Sequence, residues 1–358
     1  MKYRNVVLQD NIDISTASTK VIGININDPI SRLSFKFNIQ NDATTPVIIA
    51  HPARAVSKIE VIDGGHIIAS LSAEELLAQN YYDHKRMPCS YINGVTNTQS
   101  YFMADLDFGR WLWDNDLALD PKKYSNPQIR IVYNKALYES SSDYMYMTIL
   151  ADVFDEKSPA PRGYIKRHEI ATWTPSSSTT DYITLPTDFP IRALFAAGYS
   201  TTTHVRAQIA SMKITEDNGK KVPYELSTRH YVSTLMTDYP AIVEPVIFTG
   251  NTDTEVLYTM ASYEGQFVGT PTAAEDVFLT SYTADTLTVD CASGSNRIEG
   301  IARGFVPFHT IPVYFGNRED IDDWYDLKNV GDLEFQSKAG TVGTSPAGRI
   351  TLEQLVNF

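Results

Sequence analysis

The sequence predicts an all-β protein made of two consecutive copies of one β-sandwich. Three observations carry this reading. Apolar and polar residues alternate in many short runs. Pro, Gly, Asn, Asp, Ser and Thr separate the runs. A set of landmarks recurs in the same order in both halves of the chain.

The alternation is clearest in residues 30–39, where Leu33, Phe35, Phe37 and Ile39 are spaced by Ser34, Lys36 and Asn38, the pattern of a half-buried strand. Comparable runs are Lys58–Ile62, Tyr101–Leu106, Ile129–Tyr133, Tyr146–Phe154, Ile191–Ala197, Ile209–Ile214 and Val306–Phe315. Two helices interrupt them. The first begins at Ser72-Ala73-Glu74-Glu75, a capping box that satisfies two orphan amides and leaves Leu76, Leu77 and Tyr81 to share a face. The second begins near Ser227, with Tyr231, Val232, Leu235 and Met236 as its apolar stripe.

Each helix follows a hairpin, turning at Gly64-Gly65 in the first half and at Asn218-Gly219 in the second. Phe108-Gly109-Arg110 then opens a long polar connection ending in Gln128-Ile129-Arg130-Ile131. Phe315-Gly316-Asn317 opens another, ending in Asp332-Leu333-Glu334-Phe335. Met147–Leu150 and Ile350–Glu353 close the two halves. The offset is 154 from Gly65 to Gly219 but 207 from Phe108 to Phe315, so an insertion of about 50 residues lies within 237–305. The organisation expected is an arm at 1–14, a first roll at 15–157, a linker at 158–162 and a second roll at 163–358 carrying the insertion at about 237–305. Pro159, Pro161 and Gly163 suit an exposed boundary. The insertion is itself β-like, with runs at Glu255–Met260, Asp276–Tyr282 and Thr286–Asp290, and reads as an exposed decoration standing off the sandwich.

Composition bounds the function. The 358 residues carry 43 acidic and 30 basic side chains, for a net charge of −13, which argues against a general nucleic-acid binder. With 43% hydrophobic residues, 21 Tyr and 15 Phe, the chain has ample material for two cores. No apolar run approaches the roughly 18–20 residues of a membrane span. The first ten residues hold only three consecutive apolar positions, so no signal peptide is expected. Cys89 and Cys291 lack CxxC spacing; they read as buried free thiols, with pairing left open.

Catalytic patterns are sparse. His51, His66, His84, His168, His204, His230 and His309 show no HxH or HExxH spacing. Gly343-Thr344-Ser345-Pro346-Ala347-Gly348 has the wrong glycine spacing for a nucleophile elbow, and no phosphate cradle occurs. The acidic clusters Asp114, Asp116, Asp120 and Glu319, Asp320, Asp322, Asp323, Asp326 fit capping of short helices better than calcium or glycosidase chemistry. Trp111-Leu112-Trp113, between Phe108 and Leu117, reads as an anchor for its connection rather than a sugar platform. No catalytic, cofactor or metal residue is therefore assigned.

The hairpin-then-helix unit Lys58–Leu76, the connection Phe108–Ile131 and their degenerate second copies resemble the double jelly-roll major capsid proteins, the lineage of adenovirus hexon and of membrane-containing icosahedral bacteriophages. The resemblance spans nearly the whole chain except 237–305. It implies a structural, non-enzymatic protein of the virion shell, made in the host cytoplasm. It further implies a pseudo-hexameric homotrimer that contacts neighbouring capsomers and penton, spike or minor capsid proteins. It implies no direct contact with nucleic acid. In relatives with an internal membrane the base of the shell faces lipid, where Lys2 and Arg4 beside Val6, Val7 and Leu8 would touch headgroups; a frayed terminus is the alternative. The second half is the more acidic (−9 against −4), which would keep an outward surface soluble. Two other classes remain open: a receptor-binding, tail or spike protein of the virion, and a carbohydrate-active β-sandwich enzyme.

Overall fold

The computed structural model describes residues 2–44, 46–155, 159–250, 254–271, 277–291 and 296–358. The first half runs β1 (Tyr3–Asp13), β2 (Ser18–Gly23), β3 (Ile30–Gln40), β4 (Val56–Asp63), β5 (His66–Leu71), α1 (Ala73–His84), β6 (Ser90–Gly94), β7 (Gln99–Asp107), β8 (Pro127–Tyr133) and β9 (Tyr144–Phe154). The second begins with β10 (Gly163–Trp173), β11 (Thr180–Thr184), β12 (Ile191–Tyr199), the single-turn α2 (Val205–Gln208), β13 (Ser211–Glu216), β14 (Lys221–Ser227) and α3 (Thr228–Asp238). The insertion then supplies β15 (Ile242–Gly250), β16 (Thr254–Tyr258), β17 (Ala261–Pro271), β18 (Val277–Thr283), β19 (Thr286–Cys291) and β20 (Asn296–Pro307). The chain closes with β21 (Thr310–Tyr314), β22 (Leu333–Lys338) and β23 (Ala347–Asn357).

The repeat is visible strand by strand. In the first roll the sheet β1-β9-β3-β7 packs on β2-β8-β4-β5; in the second, β10-β23-β12-β21 packs on β11-β22-β13-β14. Local contacts repeat as well. Ile30 and Leu119 exchange backbone hydrogen bonds at the start of β3, and Ile191 and Tyr325 do so at the start of β12. The Phe108 amide donates to Ser31 as the Phe315 amide donates to Arg192. Alternating residues fill each sandwich. Phe35, Phe37, Phe102 and Ile149 are fully buried in the first, with the Phe37 and Phe102 rings stacked 5.0 Å apart, and Leu194, Ile214, Phe335 and Leu352 fill the second.

Two parallel pairings weld the rolls together. β5 pairs with β10 (Ala69 opposite Arg167), making one eight-stranded sheet across both rolls, and β6 pairs with β15 (Ile92 opposite Val246), drawing the insertion onto the other. The capping box forms as expected: Ser72 Oγ accepts from the Glu75 amide (3.2 Å) and Glu75 Oε2 accepts from the Ser72 amide (2.7 Å).

The structure corrects several expectations. Residues 3–13, read as an arm, form an edge strand: Val6 and Leu8 pack toward the core while the backbone pairs along β9. Of the charges expected to face lipid there, Lys2 and Arg4 are both exposed, and Arg4 also pairs with Asp28 at 2.7 Å. The linker is exposed only in part, and residue 158 lies outside the described residues. Pro161 is buried, and the Arg162 amide donates to Asp116 and the Ala118 amide to Gly163. The insertion does not simply stand off the sandwich, because β15, β20 and β17 extend the first roll's sheet and bury Ile92, Val246, Phe248, Phe267 and Ile298 together. Only β16-β19-β18 forms a separate small sheet; Asp276, assigned to one of its strands, lies outside the described residues. The run Val306–Phe315 is two strands, since positive φ at Val306, Phe308 and His309 reverses the chain between β20 and β21. Cys89 is a free thiol but exposed, and the side chain of Cys291 lies outside the described residues.

Gly163 opens β10 where the rolls meet, and a Cβ there would clash with the Val356 carbonyl oxygen, far inside van der Waals contact. Gly163→Ala is expected to lower stability by about 1–3 kcal/mol, measured as a lower urea midpoint at unchanged slope. Gly65→Ala, where a Cβ meets open space, is the control and leaves the midpoint in place.

Candidate functional site

The first place to look for chemistry is where serine, histidine and a carboxylate meet. His51, just before β4, and Ser90, on β6, meet Glu244 of β15 in the interior. His51 Nε2 lies 2.9 Å from Glu244 Oε1, Ser90 Oγ 2.6 Å from the same oxygen, and Ser90 Oγ 3.3 Å from Nε2. His51 Nδ1 accepts from the Ala53 amide (3.1 Å), so Nε2 carries the proton and donates to the carboxylate. A hydrolytic triad needs the reverse: a free Nε2 to take the serine proton and a carboxylate behind Nδ1. Here the hydroxyl spends its proton on Glu244, and all three groups are buried. Burial works to raise the Glu244 pKa, but the His51 ring, the Ser90 hydroxyl and the Met260 amide outweigh it and hold the group below its ordinary value. The cluster is a tie between the first roll and the insertion.

The other histidines are dispersed. His66 approaches the Tyr164 hydroxyl (3.3 Å), His84 bonds Asp107 (2.9 Å), His204 stacks on Tyr282 and His230 is exposed on α3. Burial, with Lys166 nearby, depresses the His168 pKa to about 4. His309 is buried beside a cavity of about 40 Å³, its Nε2 3.9 Å from Asp285. Among the described residues, no three His, Cys, Asp or Glu side chains gather closely enough to share a metal ion.

The acidic clusters cap and brace. Asp120 accepts from the Lys122 amide and Asp320 from the Asp322 amide (both 3.1 Å), Asp323 from the Asn317 amide (2.6 Å), and Asp326 from the Lys328 amide (3.1 Å). Arg110 binds Asp114 and Asp116, each at 2.7 Å, and donates to the Glu319 carbonyl (2.7 Å), joining the two polar connections. Of the two tryptophans read as an anchor, Trp113 does anchor, stacking on Tyr3 with centroids 4.2 Å apart. Trp111 is 44% exposed beneath the Arg110 guanidinium.

The densest polar constellation was not visible in the sequence. Asp83 near the end of α1 meets Arg167 of β10 (2.7 Å), Arg192 of β12 (3.3 Å) and Arg318 beyond β21. Arg192 also pairs with Glu353 of β23, whose Oε1 lies 3.2 Å from Arg167 as an ion pair without hydrogen-bond alignment. Three guanidinium groups face two carboxylates, and only Arg318 keeps appreciable contact with water, at 18% exposure. Burial acts to raise the Asp83 pKa, but Arg192, Arg167 and Arg318 overwhelm it and hold the carboxyl far below its ordinary range. Every partner of Asp83 in this cluster lies on the second roll, so the cluster fixes one roll against the other.

No family model matches the sequence, and no curated protein is similar to it at the sequence level. Solved structures do match. The major capsid protein of Sulfolobus turreted icosahedral virus superposes over 100% of this chain and 97% of its own, with a TM-score of 0.65 at 12% identity. The chain is a double jelly roll. The major capsid protein of bacteriophage PM2 matches 99% of it and 98% of its own length (TM-score 0.56, 9% identity), and the PBCV-1 virus capsid matches 99% and 93% (TM-score 0.57, 11% identity). At such identities the shared property is the double jelly-roll fold itself.

Breaking the inter-roll cluster separates its ionic role from packing. Glu353→Gln leaves Arg167, Arg192 and Arg318 facing Asp83 alone, two cations in excess, and is expected to cost about 3–5 kcal/mol in urea unfolding at pH 7. Asp83 titrates lower folded than unfolded, so its contribution is present above its unfolded pKa of about 3.9 and is lost as pH falls below it. The acid limb of the stability–pH curve should therefore be shallower in Asp83→Asn than in the wild type.

Proposed function

We propose that the chain is a structural major capsid protein whose homotrimers, pseudo-hexameric in outline, tile an icosahedral virion shell. The observation that carries this reading is the repetition of one strand order in two rolls that share a sheet and a buried ionic cluster. A subunit with two near-equivalent rolls, taken three times around an axis, presents six similar corners, the outline that packs flat facets without gaps. The full-length likeness to three viral capsid structures supports the same reading.

Its partners in this reading are further copies of the chain, neighbouring capsomers, and penton, spike or minor capsid proteins. It is made in the host cytoplasm and works in the virion. Its role in this reading is structural rather than enzymatic, in keeping with the Ser90–His51–Glu244 cluster, whose protons are committed to a buried carboxylate. The net charge of −13 argues against direct contact with packaged nucleic acid. If the shell encloses a membrane, the exposed Lys2, just before the first strand, and the exposed Arg4 within it, paired with Asp28, are the cations there available to anionic headgroups.

Light scattering and negative-stain imaging of the purified chain test the proposal. A particle of about 120 kDa, three times the 40.0 kDa chain, with a six-cornered outline is expected. A monomer that persists at high concentration, or a slender fibrous trimer, would overturn it.

A further inference from the structure

The two rolls repeat closely enough for positions to be matched. A shift of 155 residues carries Ser72 onto Ser227, Asp83 onto Asp238 and His84 onto Tyr239. The match extends to contacts. His84 bonds Asp107 (2.9 Å), and Tyr239 bonds Tyr314 (3.2 Å). Asp107 sits opposite Arg32 and Tyr314 opposite Ala193 in corresponding strand pairs. Arg167 opposite Glu353 is likewise matched by Asn5 opposite Asp152.

The helices differ in what covers them. α1 is buried on both faces: its inner face lies on the first core, and its outer face on the open side of β10-β23-β12-β21. There Gln79 donates to Thr351 (3.1 Å), the Tyr82 hydroxyl to the Thr310 carbonyl (2.8 Å), and Arg167 to Asp83 (2.7 Å). The counterparts of Gln79, Tyr82 and Asp83 on α3 are Thr234, Thr237 and Asp238. All three are exposed, as are Arg229, His230 and Ser233, while Val232 and Leu235 face the second core. The counterpart of the sheet face that receives α1 is the outer side of β1-β9-β3-β7. Among the described residues no helix of the second roll lies on it. It holds a groove of about 500 Å³ lined by Asn5, Arg32, Arg86, Cys89, Leu150 and Asp152.

One chain thus presents a helix face without a sheet and a sheet face without a helix, at the positions that correspond to α1 and its seat. Within the chain the junction between rolls is already filled by α1, so the occupant of the groove must come from outside. We infer that the groove on β1-β9-β3-β7 receives the outer face of α3 from a second copy of this chain. The contact is heterologous, joining the second roll of one copy to the first roll of the next, and such contacts close into a ring when the rotation allows. The groove has Asn5 in place of Arg167, and its Arg32 is engaged by Asp107 at 2.6 Å. This contact therefore lacks the three-arginine lock of the internal one and is the weaker of the two. The inference rests on the capsomer reading above and adds the surface that makes the ring.

Cys89 supplies a native probe in the groove. Thr234→Cys, Thr237→Cys and Asp238→Cys are made singly in the full chain, sized by light scattering and oxidised mildly; a disulfide needs Cα atoms within about 7 Å. At least one variant should give reducible covalent dimers and trimers, nothing larger than three copies, and none in a Cys89→Ser background. Trimers by light scattering with no Cys89-dependent cross-link in any variant would overturn the inference and leave the capsomer reading standing. Monomers throughout would overturn both.

Discussion

The orientation of the two rolls depends on five charged side chains taken almost wholly out of water. Moving Asp83, Arg167, Arg192 and Glu353 into the interior costs several kcal/mol per ion, and mutual attraction repays this only in near-ideal geometry. An apolar patch of the same area would stabilise as much and tolerate sliding. A cluster in which Asp83 from one roll must meet three arginines from the other does not, because a small displacement strands a buried charge. The β5–β10 pairing works in the same direction, since a one-residue slip would turn every following side chain of β10 to the opposite face. Together they make two sandwiches into one rigid body, with Gly163 small enough to let β10 begin directly against the Val356 carbonyl.

What the sequence discloses follows from how local each signal is. The repeat was legible because its landmarks are local: Gly65 and Gly219 at hairpin turns, Phe108 and Phe315 at strand ends, and the Ser72–Glu75 capping box. The insertion's partner was not, because β15 joins β6 across about 150 residues and its alternating pattern looks the same whether it extends an old sheet or starts a new one. The reversal after β20 escaped because Val306, Phe308 and His309 adopt positive φ without the Gly or Asn that normally marks such a turn. The ionic cluster was invisible for a related reason. Arg167 stands in Lys166-Arg167-His168-Glu169, a stretch that reads as a solvated strand face, and only the arrival of α1 converts that face into an interior. The same ambiguity hid the true state of residues 3–13, where the short apolar run Val6-Val7-Leu8 read as part of an arm and only pairing along β9 makes it a strand.

The two copies have diverged at matched positions in a direction that solubility explains. If copies of the chain meet as proposed, each must first fold and persist alone, so the contact that exists within the chain can be built buried from the start. There the helix carries Gln79, Tyr82 and Asp83 into an arginine-rich seat. The copy facing outward must be wetted while it waits. On α3 those positions are Thr234, Thr237 and Asp238, and with Ser233 the two threonines turn their hydroxyls back onto carbonyls of their own helix. Three arginines left open at the matching groove would cost nothing in water, but they would attract any anionic surface in the cell; the groove instead carries Arg32 already held by Asp107 and Asn5 bonded to Asp152. In the proposed ring one repeated pairing would thus take two forms: an ionic lock where the covalent chain guarantees the meeting, and a mild, self-satisfied surface where meeting depends on concentration.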